Sequence, residues 1–375
     1  MRARVLLATA IVAASCGGGS GETTTSTPAI TTTTTAPTTP TLPAGRTLWG
    51  FTPFPTRPDL NGVIDAYRIA DDHGDLIAHH LDECVPWDAL ENHTELPYDL
   101  ADNLTLRTEQ SPRDSIVYVA MSLSAITRDA VAPDCGGLQR ERSFADPEVI
   151  AAAKDWADLL VAWFQPVYLN VGVEWNLVDR NRPDLGFEAL ILELAEHVHA
   201  RHPGVAILAS VQLDVMVDPA RVAAVAGAVD ILGVSLYPTA FGATVPPTED
   251  ALDGLAALGK PLALAETGWP GAPAIVEGTI VPFTEQGQVL YVEWLGRMAE
   301  HHDLRFVVWF FPGDPGPVFA DAPPQIFEVA RMFATMGLVA DDRTERPALE
   351  VWDSLRDSQQ GSASRMRATA ASARW

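Results

Sequence analysis

The chain has 375 residues, 47% of them hydrophobic and 20% charged, enough apolar side chain for a large core. With 25 Lys and Arg against 49 Asp and Glu, its net charge is −24. A phosphate backbone or an anionic lipid surface would be repelled, so no nucleic-acid partner is expected. Three cysteines are too few for a disulfide framework or a four-cysteine zinc site.

In chain order, Arg2 and Arg4 precede the short apolar run Val5 to Ala14. A basic segment followed by a short hydrophobic one reads as an export signal, not as fold. Past it there is no run of about 20 apolar residues to span a bilayer. The string Ala13-Ala14-Ser15-Cys16 resembles the lipobox of bacterial lipoproteins. That resemblance implies removal of residues 1–15 and a lipid on the thiol of Cys16. The chain would then be held on the outer face of the bacterial cell membrane by this anchor alone. An ordinary signal peptide and a secreted chain are the alternative. Twelve threonines and three prolines follow between Glu22 and Thr41. With almost nothing apolar to bury, residues 16–45 are expected to form a disordered linker. Residues 358–375 are small, polar and locally basic, and a disordered tail is expected there too.

Between them, residues 46–357 alternate short apolar runs with amphipathic stretches. The runs are Thr47–Pro53, Asp75–Leu81, Ser115–Leu123, Val167–Glu174, Val205–Leu213, Val229–Tyr237, Pro261–Glu266 and Arg305–Phe311. Several are continuously apolar and β-branched, as parallel strands buried on both faces are. Helical patterns cover Asp146–Phe164, Leu185–His202, Pro219–Ala228, Thr248–Leu258, Thr284–His301 and Ile326–Met336. Asp146 and Asp218 stand as candidate N-caps before a proline in the first turn. Eight strand–helix units make a single (β/α)8 barrel of α/β class the expected fold. An open α/β sheet is the alternative, but no Gly-x-Gly-x-x-Gly follows the first strand to favour it. Cys84 and Cys135 fall on adjacent loops at one end of such a barrel. An exported protein can bridge them; two separate buried thiols are the other possibility.

Barrels of this kind place their chemistry at the C-terminal strand ends. The second strand ends in His79-His80-Leu81-Asp82, the fourth in Glu174-Trp175-Asn176, the sixth in Tyr237-Pro238, the seventh in Glu266-Thr267-Gly268-Trp269-Pro270 and the eighth in Trp309-Phe310-Phe311. A carboxylate directly after a buried strand is costly unless paired, hydrogen-bonded or wet. Glu174 and Glu266 form the pair that glycoside hydrolysis needs, one to protonate the leaving oxygen and one to attack or to activate water. Two structural carboxylates capping helices are the bland alternative. Trp87, Trp175, Trp269 and Trp309 fall at or just past strand ends, where indole faces can pack on a pyranose.

These endings resemble glycoside hydrolase clan A, the retaining (β/α)8 glycosidases. The Glu266-Thr267-Gly268-Trp269-Pro270 string is similar to the nucleophile motif of endo-β-1,3-glucanases. The short architecture and Tyr237-Pro238 look at least as much like the arabinogalactan endo-β-1,4-galactanases. The resemblance implies that Glu174 is the acid/base, Glu266 the nucleophile, Tyr237 the residue that holds the nucleophile and Trp309 a sugar platform. It also implies a carbohydrate substrate and no cofactor or metal. One departure stands out. The clan usually has Asn before the acid/base, bonding the sugar 2-hydroxyl, and here that position is Val173. Asn170 or Asn176 taking over, a substrate with another hydroxyl pattern, or binding without cleavage are three ways to account for it.

Weaker signals remain. His79 and His80 are neighbours on a strand, so they face opposite ways and cannot easily share a metal ion; contact of one of them with a sugar hydroxyl is favoured. Arg128-Asp129 after the third strand could reach the rim of the site, but a loop ion pair is the favoured reading. His301-His302 end a helix and complement its dipole. The expectation is therefore a monomeric, exported, lipid-anchored retaining glycoside hydrolase with an open groove. A non-catalytic surface carbohydrate-binding lipoprotein on a degenerate barrel is the alternative, kept open by Val173.

Overall fold

In a computed structural model of the chain, the described residues are 46–136, 139–213, 219–276, 278–320 and 327–372, the backbone alone for 327–329 and 360–372. The expected signal segment, Cys16, the expected linker and the candidate cap Asp218 lie outside them.

Strands β1 (Leu48–Phe51), β2 (Leu76–Leu81), β3 (Ile116–Met121), β4 (Tyr168–Gly172), β5 (Ala206–Gln212), β6 (Ile231–Leu236) and β7 (Leu262–Thr267) are followed by a small hairpin, β8 (Ala274–Val276) with β9 (Thr279–Val281), and then by β10 (Phe306–Trp309). All eight apolar runs become strands of one closed barrel, in the order β1-β10-β7-β6-β5-β4-β3-β2. Every neighbouring pair in it is parallel. The fold is a single (β/α)8 barrel, as the sequence pattern requires.

The helices around it are α1 (Leu60–His73), α2 (Trp87–Glu91), α3 (Tyr98–Gln110), α4 (Pro147–Phe164), α5 (Trp175–Asn181), α6 (Phe187–Arg201), α7 (Pro219–Ala228), α8 (Asp253–Ala256), α9 (Glu285–His301), α10 (Gly316–Phe319), α11 (Phe327–Phe333) and α12 (Pro347–Ser372). Asp146 occupies the N-cap of α4, but its carboxylate accepts from the Ser143 backbone at 2.8 Å and does not cap the helix. Thr284 does cap α9, accepting from Gly287 N–H. The helix expected over 248–258 shrinks to the four residues of α8, where Gly254 and the flanking aspartates favour turns over helix. Helix α12 runs on through Ser372, past the boundary expected at 357.

Trp352 of α12 is fully buried against Trp49, Phe51 and Trp309, so the last helix seals β1 and β10. Its approach to α9 needs Gly296, where a Cβ would meet Leu355 at 2.6 Å. Side chains divide by strand parity. Leu76, Ala78, Tyr118, Ala120, Tyr168, Leu208, Phe306 and Val308 fill the barrel interior. Their neighbours Ile77, Val119, Leu169, Ile207, Val307 and Trp309 pack outward against the helices.

Cys84 and Cys135 are joined in a disulfide that ties the β2–α2 loop to the β3–α4 loop. Val85 bonds backbone atoms of Pro133 and Cys135 across the same junction. Arg142 reinforces it through Asp88, Glu91 and Asp134. Among the described residues no helix is long and apolar enough to cross a membrane.

Candidate active site

The glutamate-bearing strands share an irregularity. Against β5, β4 carries one extra residue between Asn170 and Gly172. Against β6, β7 carries one extra residue between Leu264 and Glu266. Strict alternation would send Glu266 outward, because Ala263 and Ala265 already face the interior. The bulge turns the next side chain inward as well, the use to which bulges near functional sites are put. Glu174 follows the β4 bulge in the left-handed region, at φ 46°. For a residue other than glycine that conformation costs about 1–3 kcal/mol. Its N–H is held by Ser210 Oγ at 3.1 Å.

Glu266 is completely buried at the end of β7. Ser235 donates to its Oε1 at 3.0 Å and the Tyr237 hydroxyl to its Oε2 at 3.2 Å. Burial, and then the negative charge of Glu174, push its carboxyl up to about 7, against the opposing pull of His80 and Arg128. Glu174, 2% exposed, accepts from Arg128 Nε at 3.1 Å. Arg128 is itself buried, at φ 55°, and spends its Nη1 on Ser122 and Ser124. His80 Nδ1 lies 3.5 Å from Asp82 Oδ2, an ion-pair contact longer than a good hydrogen bond. Burial opposes charge on the His80 ring, but Glu266 and Asp82 outweigh it and raise its pKa. Burial likewise opposes charge on Asp82, yet His80 and Arg128 bring it down to about 2. Six charged or titratable groups (Glu266, Tyr237, Glu174, Arg128, His80 and Asp82) thus meet where the expected active-site end of the barrel lies.

A pH signature follows. Glu266 ionises in the unfolded chain near its ordinary 4.5 and in the fold near 7. Between those values the folded state holds a proton that the unfolded state has released, so stability falls as pH rises. The raised pKa of His80 acts in the same direction above 6.5, and the Asp82 window lies lower, between about 2 and 3.8. Unfolding free energy is expected to drop by about 3 kcal/mol from pH 4.5 to 7 on account of Glu266. Denaturant titrations across that range should show the slope in the wild type and a flatter profile in Glu266→Gln. Equal slopes would place the proton elsewhere.

Of the residues singled out from sequence, Glu174, Glu266, Tyr237 and His80 come together. The tryptophans do not form a rim: Trp87, Trp175, Trp269 and Trp309 are each at most 1% exposed. Trp309 falls on the outward parity of β10, donates to the Met336 carbonyl at 2.8 Å and packs on Tyr291 and Trp352. The inward position belongs to Phe310, whose ring lies 5.0 Å from that of His80. Trp269 stacks on Tyr291 at 4.8 Å, and Trp87 donates to the Ala132 carbonyl. His79 faces outward, stacked on Phe164 and bonded to Ser111, and burial holds its pKa well below the usual value. Asn176 is pinned to the Gln212 backbone through both amide atoms. Asn170 is committed to Tyr118, Ser210 and the Gly172 N–H. Neither amide is free to replace the one that Val173 lacks. The expected open groove also fails at these carboxyls, since both are buried.

Ser235, Phe310 and Gln212 are the parts that sequence reasoning missed, and Arg128 is one that it ranked behind a loop ion pair. Arg128 was readable as a loop ion pair with Asp129, but it turns inward to Glu174 while Asp129 accepts from Thr127. Gln212 ends β5 fully buried, and neither atom of its side-chain amide has a partner among the described residues.

No protein-family model matches the chain, and no curated protein matches it in sequence. Solved structures share its fold. The exo-β-1,4-mannosidase Op5Man5 from Opitutaceae bacterium strain TAV5 aligns with 85% of this chain at 12% identity and a TM-score of 0.60. This chain spans only 60% of that enzyme's length. A GH5_18 protein from Streptomyces cattleya, solved with GlcNAc, aligns over 84% of this chain and 81% of its own, at 16% identity and a TM-score of 0.62. The glycoside hydrolase family 17 β-1,3-glucanosyltransferase from Rhizomucor miehei aligns over 78% and 92%, at 15% and 0.50. The chain therefore has the (β/α)8 barrel that these glycoside hydrolases share. At such identities the likeness is one of fold.

Proposed function

We propose that the chain is a retaining glycoside hydrolase acting on a β-linked oligo- or polysaccharide, with Glu266 as nucleophile and Glu174 as acid/base. The observation that carries this reading is the pair itself. Two strands each spend an extra residue before a glutamate, and the two carboxyls meet closely enough for one to raise the pKa of the other. Two neighbouring carboxyls, one of them raised toward neutrality, are what a glycosidase needs. Tyr237 and Ser235 fix the orientation of Glu266, as a nucleophile requires. The buried side-chain amide of Gln212, without a partner among the described residues, would find partners in sugar hydroxyls. Gln212 is the amide left to engage a substrate hydroxyl in place of Asn at 173. The solved structures of like fold include enzymes named for β-1,4-mannoside and β-1,3-glucan chemistry, so both linkages belong in a first screen. Export and anchoring through Cys16 complete the proposal.

In the resting protein Arg128 faces Glu174, while burial raises the Glu266 carboxyl to about 7. For Glu266 to attack, substrate binding must favour its ionised form. The test is covalent trapping with 2-deoxy-2-fluoro glycosides of several β-linked sugars, followed by peptide mass mapping. A label on Glu266 supports the stated roles, and a label on Glu174 reverses them. Binding without turnover or label favours the second reading, a carbohydrate-binding barrel. What speaks for that reading is the burial of both carboxyls and of Trp87, Trp175, Trp269 and Trp309.

A further inference from the structure

On the outside of the barrel, α8 and α9 meet near the N-terminal ends of β7 and β10, the opposite end from Glu174 and Glu266. Helix α9 ends at His301, with His302 as its cap residue, and α8 begins at Asp253. The Nε2 atoms of His301 and His302 each lie 3.8 Å from Asp253 Oδ1. One ligand atom from each of the three residues lies within 4.8 Å of the others. The His302 side chain is only 4% exposed. Its Nε2 is buried with no hydrogen-bond partner among the described residues. A buried ring nitrogen that lacks a protein partner and lies 3.8 Å from a carboxylate oxygen is placed to serve as a metal ligand.

We propose that Asp253, His301 and His302 bind a divalent transition-metal ion, zinc by preference, that ties α8 to α9. Two imidazoles and a carboxylate suit zinc, whereas calcium and magnesium favour all-oxygen sets. A tetrahedral ion with bonds of about 2.0–2.1 Å holds its ligand atoms roughly 3.3 Å apart. The 3.8 Å separations must therefore close by about half an ångström, and the widest, up to 4.8 Å, by about 1.5 Å. The Asp253 and His301 side chains, 60% and 62% exposed, are free to make that move. The fourth position is left to water. The site differs from the other histidine cluster on the surface. There His197 and His202 bond Asp158 at 3.0 and 2.7 Å, and Arg201 pairs with the same carboxylate at 2.9 Å. That cluster already has its cation.

The test is calorimetric titration of zinc into the chelator-treated full chain, with thermal unfolding alongside. One zinc per chain is expected, with a rise in Tm of about 4 °C at a hundredfold excess over Kd. Asp253→Asn and His301→Gln change exposed side chains, keep the fold, and should each weaken binding about tenfold or more. His302→Gln should abolish it. No zinc uptake, uptake unchanged in Asp253→Asn and His301→Gln, or equal stabilisation by magnesium would each overturn the proposal. None of these readouts depends on glycosidase activity.

Discussion

Glu266→Gln is expected to lower turnover of any β-glycoside that the protein hydrolyses by on the order of 10³-fold or more, with binding retained. Glutamine keeps the shape of the side chain and can still accept from Ser235 or Tyr237. It cannot ionise, attack an anomeric carbon or carry a proton. Nor does it suffer the burial that pushes the Glu266 carboxyl up to about 7, so the variant should fold at least as well as the wild type near neutral pH. The measurement is kcat/KM on the best substrate from a β-linked panel, with calorimetry for affinity. Full turnover in Glu266→Gln would remove this residue from the mechanism. A wild type that binds sugar and turns nothing over would leave the carbohydrate-binding reading.

Arg128→Met should be the most destabilising change at the site. It leaves the Glu174 carboxylate, 2% exposed, without the guanidinium that it accepts from at 3.1 Å. Breaking a buried pair from one side costs about 3–5 kcal/mol, because the remaining charge is uncompensated. Adding Glu174→Gln should recover a large part of that loss, by removing the stranded charge. A double-mutant cycle at pH 7 by denaturant unfolding reads the coupling. Additive losses would mean that Arg128 acts mainly through Ser122 and Ser124. The disulfide between Cys84 and Cys135 bears on the same pair, since it anchors the loop that delivers Arg128.

Much of the architecture was readable because it rests on local regularities. Eight β-branched runs alternating with amphipathic stretches permit few folds, and each run became a barrel strand. Proline after Asp146 marked a helix start that the fold keeps, and the helical pattern from Thr284 to His301 became α9. The two cysteines were placed on adjacent loops by counting strands, and there they meet. A glutamate straight after an apolar run is legible in the same way, since few reasons exist to carry a carboxylate to such a place.

The tryptophans show the limit of that reading. A strand ending in Trp309-Phe310 does not say which ring faces the interior, and a shift of one residue exchanges them. Parity counted back through Phe306 and Val308 sends Trp309 outward, where α9 and α12 cover it. The bulges in β4 and β7 break the same parity, and no local sequence rule announces them. Arg128 reaches Glu174 only because a loop after β3, turning at positive φ, folds back over the end of β4. Sequence by itself therefore determined the barrel, its strand order and the two glutamates, through periodicity and the cost of burying charge. Tertiary structure alone decided which side chains face inward, which cation pairs with Glu174 and how strongly burial raises the Glu266 carboxyl, because each depends on register and on contacts between residues far apart in the chain.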